Sequence, residues 1–318
     1  MKRIKCLLSL IVLCVSLVSC GTLESGNSVS DKGGNQSTGV EAKGKGTRDN
    51  SIRVLVPEAT GTEVYGNADA SIDASNATEG YVMVAYLGDS AKVRMLIETP
   101  AGNTYNYLIN LDKQYHVYPL SEGNGTYKIG VYENISGDQY VAAFTQSVTV
   151  TLKDEYSAFL YPNAYVNFNA TSKAVQKGKE LAAGCNNDID VVKSVYHYIT
   201  DNIDYDYEKA ATVQSGYVPT VDSTLETKTG ICFDYASLMG SMLRSQGIPT
   251  RLEIGYAGTE YHAWVSVYTK ETGWIDKIIQ FDGKNWSLMD PTLASYASNK
   301  IVKENRESTT YYQLKYKY

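Results

Sequence analysis

The chain has 318 residues, enough for about two domains, and a hydrophobic fraction of 43% that excludes global disorder. Its 29 basic and 35 acidic side chains give a formal net charge of −6, and no basic groove or stripe can be recognised. This balance disfavours nucleic-acid binding, so no nucleic-acid partner is expected.

The first twenty residues have the pattern of a lipoprotein signal peptide (1–20). A basic head with Lys2, Arg3 and Lys5 precedes an apolar run, residues 7–18, that is too short for a typical membrane-spanning helix. The run ends in Leu-Val-Ser-Cys-Gly, which resembles a bacterial lipobox. We therefore expect lipidation at Cys20, which would anchor the protein to the cell membrane on the extracytoplasmic side. An ordinary secretory signal is the alternative, and loss of the leader would take the net charge to about −9.

Residues 21–50 are rich in Gly, Ser, Asn, Lys and Thr, a composition that predicts a flexible linker. Period-two alternation of apolar residues follows over residues 51–153, most clearly in 127–133 and 140–152. Turn residues recur at the spacing of short antiparallel strands, which predicts an antiparallel β-sandwich of immunoglobulin-like character. His116 lies in one predicted strand and is interpreted as a surface residue.

After the predicted sandwich the apolar periodicity becomes helical. One helix is predicted over residues 174–183, and a second over 191–202 that Asp188 or Asp190 would cap. The polar stretch 202–224 is interpreted as an irregular loop.

A central helix is predicted over residues 233–246, because small and apolar residues recur at helical spacing before Gly247 and Pro249. Cys232 therefore occupies the first turn or the cap of this helix. Unpaired N–H groups and the positive end of the helix dipole at that position would lower the pKa of the thiol. The same N–H groups could serve as an oxyanion hole during attack on a carbonyl.

Two further residues complete a candidate catalytic triad. His262 begins one strand of a predicted hairpin (248–256 and 262–269), and Asp290 follows a predicted strand over 286–289. A carboxylate that accepts the Nδ1–H of His262 would fix its tautomer and favour an imidazolium beside a thiolate. No metal-ligand spacing accompanies these residues, so neither a metal nor another cofactor is expected.

Two segments near the C-terminus are also apolar. Residues 271–284 are too apolar for a solvated turn and predict an extra hairpin or a flank of the cleft. The tyrosine-rich residues 311–318 alternate like a closing strand.

Five segments in order resemble the bacterial transglutaminase-like superfamily, a branch of the papain-like thiol fold. They are 230–236 (Gly-Ile-Cys-Phe-Asp-Tyr-Ala), 247–251 (Gly-Ile-Pro-Thr-Arg), Gly255-Tyr256, 262–265 (His-Ala-Trp-Val) and Asp290-Pro291-Thr292. The resemblance covers residues 170–318. It implies an α+β fold class, in which the β-sandwich (51–153) is followed by a domain at 154–318 with a central helix packed on an antiparallel sheet.

By the same resemblance, the catalytic roles fall on three residues. Cys232 would be the nucleophile, His262 the general base and acid, and Asp290 the orienting carboxylate. Members of the superfamily commonly add an oxyanion donor before the nucleophile, for which Tyr205, Tyr207 and Tyr217 all remain open.

The sequence favours an enzyme that forms a Cys232 thioester with a peptide or protein amide, including cell-wall peptide. Water would resolve the thioester in a protease or amidase, and an amine would resolve it in a cross-linking acyltransferase. The alternative is a non-catalytic surface binding or adhesion module that retains the fold. A disulfide between Cys185 and Cys232 would silence the thiol, although Cys185 is better interpreted as an ordinary residue beside a helix.

Overall fold

The structure is a computed structural model that describes residues 46–257, 259–281, 286–288 and 312–318. The predicted signal peptide with Cys20, most of the predicted linker, and Asp290 lie outside the described residues. Within the described ranges, no helix is both long and apolar enough to cross a membrane.

The last residues of the predicted linker are held against the folded chain. Arg48 Nε donates to Asp188 Oδ1 at 2.6 Å and its Nη2 to the Gln246 carbonyl at 2.8 Å. The Asn50 side chain donates to the Lys179 carbonyl. Arg48 and Asn50 are therefore fixed by hydrogen bonds, although the composition of this segment predicts a flexible linker.

Two four-stranded antiparallel sheets form the N-terminal part. One has the order β1-β2-β3-β6 and the other the order β5-β4-β7-β8. The strands are β1 Val64–Gly66, β2 Ala70–Asp73, β3 Tyr81–Tyr86, β4 Val93–Glu98, β5 Thr104–Leu108, β6 His116–Pro119, β7 Gly125–Ser136 and β8 Gln139–Val150. Alternate residues of β4, namely Val93, Met95 and Ile97, are buried in an apolar core to which both sheets contribute. The antiparallel strands agree with the predicted alternation, and the immunoglobulin-like arrangement stays a prediction.

Five α-helices follow the two sheets in the described chain. They are α1 Lys173–Ala182, α2 Asp188–Asn202, α3 Tyr207–Thr212, α4 Val221–Thr227 and α5 Cys232–Arg244. The cap of α2 is Asn187, whose side chain accepts the Asp190 N–H at 2.9 Å, so the prediction of Asp188 or Asp190 as the cap is wrong. Both aspartates instead lie in the first turn, where negative charge complements the helix dipole. The predicted irregular loop, residues 202–224, contains α3 and the first residues of α4.

Helix α5 forms the centre of the second part. Every residue from Asp234 to Arg244 is buried. Helix α1 approaches it closely at Gly178, where an added Cβ would lie 2.9 Å from the Met242 carbonyl oxygen. On another side α5 packs against two strands of a five-stranded sheet. These strands therefore help to fix the position of Cys232, the first residue of the helix.

That sheet is antiparallel, with the order β14-β13-β12-β11-β15. Its strands are β11 Thr250–Ala257, β12 Glu260–Thr269, β13 Gly273–Phe281, β14 Trp286–Leu288 and β15 Tyr312–Lys317. The apolar segment after β12 is thus the strand β13, and β14 pairs with β13 rather than with β12. A separate parallel pair, β9 Asp204–Tyr205 with β10 Thr229–Gly230, brings the end of α2 beside the start of α5.

Tyrosine rings connect the N-terminal sheets to the helical part. Tyr105 of β5 meets the Tyr316 ring at 5.1 Å between centroids, and the neighbouring Tyr107 stacks on Tyr165 at 5.8 Å. Tyr165 also meets Tyr318 edge to face at 4.5 Å. Aromatic packing of this kind holds both parts within one compact unit.

Gly255 of β11 is required by the close approach of β15. A Cβ there would lie 2.0 Å from the Gln313 carbonyl oxygen and 2.9 Å from the Trp264 ring. We expect Gly255→Ala to lower the free energy of unfolding by about 2 kcal/mol through overpacking, as measured by urea denaturation. Gly61→Ala is the comparison, because it meets no atom within 4 Å and reports only backbone strain at φ +76°. An equal loss of unfolding free energy in both variants would show that β15 shifts to accommodate the added Cβ at no cost in stability.

Candidate active site

Cys232 is the first residue of α5. The residue before it, Ile231, is extended, and its N–H donates to Asp234 Oδ2 at 2.9 Å. Glycine is needed at position 230 for the Asp234 side chain to fold back toward the Ile231 N–H, since a Cβ on Gly230 would lie 2.7 Å from the Asp234 Cβ. The local sequence Gly-Ile-Cys-Phe-Asp thus closes the helix start by a side chain three residues past the cap.

Asp234 is also the centre of a buried polar network that the sequence analysis missed. Its carboxylate accepts from Lys209 Nζ at 2.7 Å and from the Tyr217 hydroxyl. Lys209 Nζ also lies 2.6 Å from the Tyr217 hydroxyl. The network holds α3 and the loop after it against the start of α5. The available signal was the acidic residue in the first turn, a position that favours a capping carboxylate.

His262 lies on β12, opposite Gly255 of β11, with 7% of its surface exposed. The backbone amide of the next residue, Ala263, lies beside the Cys232 sulfur and lowers the pKa of the thiol. The amide of Phe233 at the start of α5 acts in the same direction. The structure therefore brings the predicted nucleophile and the strand carrying the predicted base to one point.

The imidazole is neutral at physiological pH, because burial lowers the pKa of His262 to about 4. Its Nε2 is buried and has no hydrogen-bond partner among the described residues. The sequence predicts that the other ring nitrogen, Nδ1, donates its proton to Asp290. Asp290 lies outside the described residues, so its role as the orienting carboxylate stays a prediction.

The predicted lowering of the Cys232 pKa is wrong. Burial raises the pKa of the thiol to about 11, although the nearby amides of Ala263 and Phe233 act to lower it. Asp234 raises it further through its negative charge. Helix-end electrostatics are outweighed by the loss of water around the sulfur. The resting pair is therefore a thiol beside a neutral imidazole.

This state predicts how alkylation of Cys232 depends on pH. Below a raised pKa the thiolate fraction grows tenfold for each pH unit, so the iodoacetamide rate should rise about tenfold per unit from pH 7 to pH 10. Mass spectrometry of a Cys185→Ala background would follow the reaction at Cys232 alone. A free cysteine peptide would level off near its ordinary pKa of about 8.5. A plateau below pH 8 in the protein would instead indicate a thiolate–imidazolium pair.

The structure separates the three tyrosines proposed as oxyanion donors. The hydroxyl of Tyr205, on β9, lies beside the backbone amide of Cys232, and burial raises the pKa of Tyr205 to about 12. Tyr207 is 61% exposed, and Tyr217 is bonded to Asp234. Tyr205 is thus the candidate that contacts the nucleophile residue and keeps its proton.

We expect Tyr205→Phe to lower kcat about 10²-fold with little change in KM, because an oxyanion donor acts mainly in the transition state. Steady-state kinetics on a peptide substrate would measure the change. Tyr207→Phe is the matched control and should retain kcat. A similar fall in kcat for both variants, or for neither, would reject Tyr205 as the donor.

Cys232 and His262 open onto a cleft of about 660 Å³. One wall comes from α5, β11 and β12, and another from the loop after α3, residues 213–218. A third wall comes from the N-terminal sheet through Arg94 of β4 and residues 106–108 of β5. Among the described residues there is no group of three His, Cys, Asp or Glu side chains that could hold a metal ion.

The other residues singled out from the sequence lie away from this cleft. His116 starts β6 and bonds Asp112 at 2.9 Å. Cys185 is buried outside the cleft, and both Cys185 and Cys232 are free thiols. The disulfide alternative is therefore absent from the described chain.

The comparisons with known proteins concern the part that carries this site. The family model described as "Transglutaminase-like superfamily" matches residues 175–277. Uncharacterized protein YebA of Bacillus subtilis is 36% identical over 116 residues, which cover 30% of this chain and 16% of YebA. A protein-glutamine gamma-glutamyltransferase of Pseudomonas aeruginosa is 35% identical over 68 residues, which cover 17% of this chain and 10% of that protein.

A solved structure of a proposed cysteine protease from Cytophaga hutchinsonii is 15% identical and has a TM-score of 0.33. The match covers 58% of this chain and 71% of that one. The chain thus spans a small part of the two sequence relatives and a larger part of the solved one. The chain therefore contains a transglutaminase-like domain over residues 175–277, which include Cys232 and His262.

Proposed function

We propose that the protein is a thiol enzyme that transfers the acyl group of a peptide or protein amide through a Cys232 thioester. The observation that carries the proposal is the single cleft that Cys232 and His262 line together. The amide of Ala263, which directly follows His262, lies beside the Cys232 sulfur. A thiol and a base within reach of each other are the parts of nucleophilic catalysis.

The chemistry starts from the neutral pair. The Cys232 sulfur attacks the amide carbonyl carbon while its proton passes to the imidazole of His262, which gives a tetrahedral oxyanion and an imidazolium. The imidazolium then protonates the leaving nitrogen as the C–N bond breaks, leaving the thioester and a free amine. Because burial raises the thiol pKa, the proton transfer must accompany attack rather than precede it.

The oxyanion needs donors close to the sulfur. The amides beside the sulfur, those of Phe233 and Ala263, are rigid because they belong to α5 and β12. Such preorganised donors stabilise developing negative charge more than mobile water does. Tyr205 would add a side-chain donor from β9.

The second half of the reaction takes either acceptor. Water attacking the thioester yields an acid, as in a protease or amidase, and a primary amine yields a new amide. The relative from Pseudomonas aeruginosa is described by its name as a glutamyltransferase, which supports keeping amine transfer open for this chain. Hydrolysis is favoured here, because water requires no second binding site.

One observation favours the alternative of a non-catalytic binding module. The raised pKa of Cys232 leaves little thiolate at neutral pH, as expected for an inert buried cysteine. In the catalytic proposal little thiolate is needed, because the imidazole of His262 accepts the thiol proton during attack. The two functions therefore differ in whether Cys232 forms an acyl adduct.

The proposed location of the enzyme follows from its sequence. Lipidation of Cys20 would hold the enzyme at the extracytoplasmic face of the cell membrane, where extracellular protein and cell-wall peptide are the available amides. The same proposal includes an immunoglobulin-like form for the two N-terminal sheets.

The test is incubation with diverse peptides and a fluorescent primary amine, with cleavage and amine incorporation followed separately. Wild type should form at least one product that Cys232→Ala does not form. Products identical in the two proteins, or none in either, would favour the binding module. The ratio of cleavage to incorporation assigns the acceptor.

A further inference from the structure

One charged side chain lines the cleft in the described part of the chain. It is Arg94, and the other described lining residues are apolar, aromatic or neutral polar groups. His262 adds no charge near neutral pH, because burial lowers its pKa to about 4. Arg94 thus places a positive charge in the wall of this cleft, in a chain whose formal net charge is −6.

Arg94 has no acidic partner among the described residues. It lies on β4, paired across the ladder with Leu108 of β5, and its guanidinium carbon stands 5.2 Å from the centre of the Tyr140 ring. Its Nε is buried without a hydrogen-bond acceptor in the described chain. Burying such a donor costs free energy unless an acceptor arrives, so this group has unused capacity for an anion.

The neighbouring strand supplies a second donor without an acceptor. Tyr107 of β5 also lines the cleft, is 1% exposed, and its hydroxyl has no hydrogen-bond partner among the described residues. Burial raises the pKa of Tyr107 well above its ordinary value, so the hydroxyl keeps its proton. Tyr107 pairs with the buried Met95 and therefore points to the opposite face of the sheet from Arg94, so the guanidinium is the donor that β4 and β5 present to the cleft.

We propose that Arg94 binds a carboxylate of the substrate, so that the acyl donor is a peptide carrying a free carboxylate near the scissile amide. A guanidinium matches a carboxylate through two parallel hydrogen bonds, and the low polarity of the cleft strengthens the pairing. The carboxylate belongs either to an acidic side chain or to a peptide C-terminus. This inference rests on the proposed function, because it describes what approaches Cys232, and it gives the N-terminal sheet a direct part in substrate selection.

The experiment uses N-chloroacetyl alanine tripeptide amides, from which the Cys232 sulfur displaces chloride. One series carries Glu or Gln at the first, second or third position, and another pair has a free or an amidated C-terminus. Labelling rates at Cys232 are read by mass spectrometry of intact protein at pH 9, with Cys232→Ala as the blank.

In wild type, at least one anionic probe should label about tenfold faster than its neutral match, and added salt should shrink that ratio. In Arg94→Gln the ratio should fall to about one. Lys92→Gln is the matched control, since Lys92 also stands near the Tyr140 ring, at 5.6 Å, but does not line the cleft. It should keep the wild-type ratio, and Arg94→Glu should prefer a lysine probe to the glutamine one.

Ratios near one for every wild-type pair would overturn the inference, as would a preference that survives Arg94→Gln. Arg94→Glu controls for folding, because an unfolded chain would label both probes of a pair alike and could not prefer the lysine probe. The proposed function fails separately, when charge-selective labelling occurs but no Cys232-dependent product forms from natural peptides.

Discussion

Replacing Cys232 by alanine should lower peptide turnover by about 10⁴-fold or more, because no other group in the cleft can form the thioester. His262→Ala should cause a comparable loss near neutral pH. The thiol pKa of about 11 leaves little thiolate there, and the proton acceptor is gone. The rate of a cleaved peptide, measured by chromatography, checks both variants.

Cys185→Ala is the matched control for the nucleophile. Cys185 is the other described cysteine, and it is buried outside the cleft. Its replacement should leave turnover within about twofold of wild type. A Cys232→Ala protein that retains turnover would place the chemistry elsewhere. Turnover of His262→Ala that matches wild type would remove the imidazole from the mechanism.

Replacing Arg244 by methionine should cause the largest loss of stability. Its side chain is fully buried, and its nitrogens donate to the main-chain oxygens of Thr250, Tyr161 and Tyr318 at 2.6 to 3.0 Å. The guanidinium thereby ties the end of α5 to three separate segments. Methionine fills the space but leaves carbonyl groups without donors, so we expect a loss of about 3–5 kcal/mol in the free energy of unfolding.

Urea denaturation measures this loss, and two further variants serve as comparisons. Arg244→Lys keeps the charge but not the planar set of donors, and it should fall between wild type and Arg244→Met. Arg53→Met removes an exposed arginine that pairs with Asp49, and it should change stability by less than about 0.5 kcal/mol. A loss below about 1 kcal/mol for Arg244→Met would mean that water satisfies those carbonyl groups.

Periodic segments could be predicted from the sequence with close boundaries. Helix α5 was expected over residues 233–246 and begins at Cys232, because its apolar residues recur on one face and Gly247 stops it. Strands β7 and β8 were expected from alternation that burial on one face of the sheet enforces. In such elements the local pattern and the tertiary environment agree.

Short elements held by distant contacts could not be predicted in this way. Helix α3 has six residues and none of them is buried, so it shows no apolar stripe. Its stability comes from Asp206 at the cap and from Lys209 reaching Asp234, which is 25 positions further along the chain. Such a pairing carries no local signal before the fold is known.

The electrostatics of the site could likewise be predicted only in part. The sequence placed Cys232 at a helix start, and the structure agrees. The depth of burial, which raises the thiol pKa, depends on β12 and on the walls of the cleft. The choice among Tyr205, Tyr207 and Tyr217 likewise required the pairing of β9 with β10.

The most direct measurement is the mass of the protein after rapid acid quenching during reaction with a cleavable peptide, followed by mapping of any adduct. The proposed mechanism predicts one acyl group, bound through sulfur at Cys232 and released by hydroxylamine. An acyl group on any other residue, or turnover with unmodified Cys232 at every time point, would contradict it.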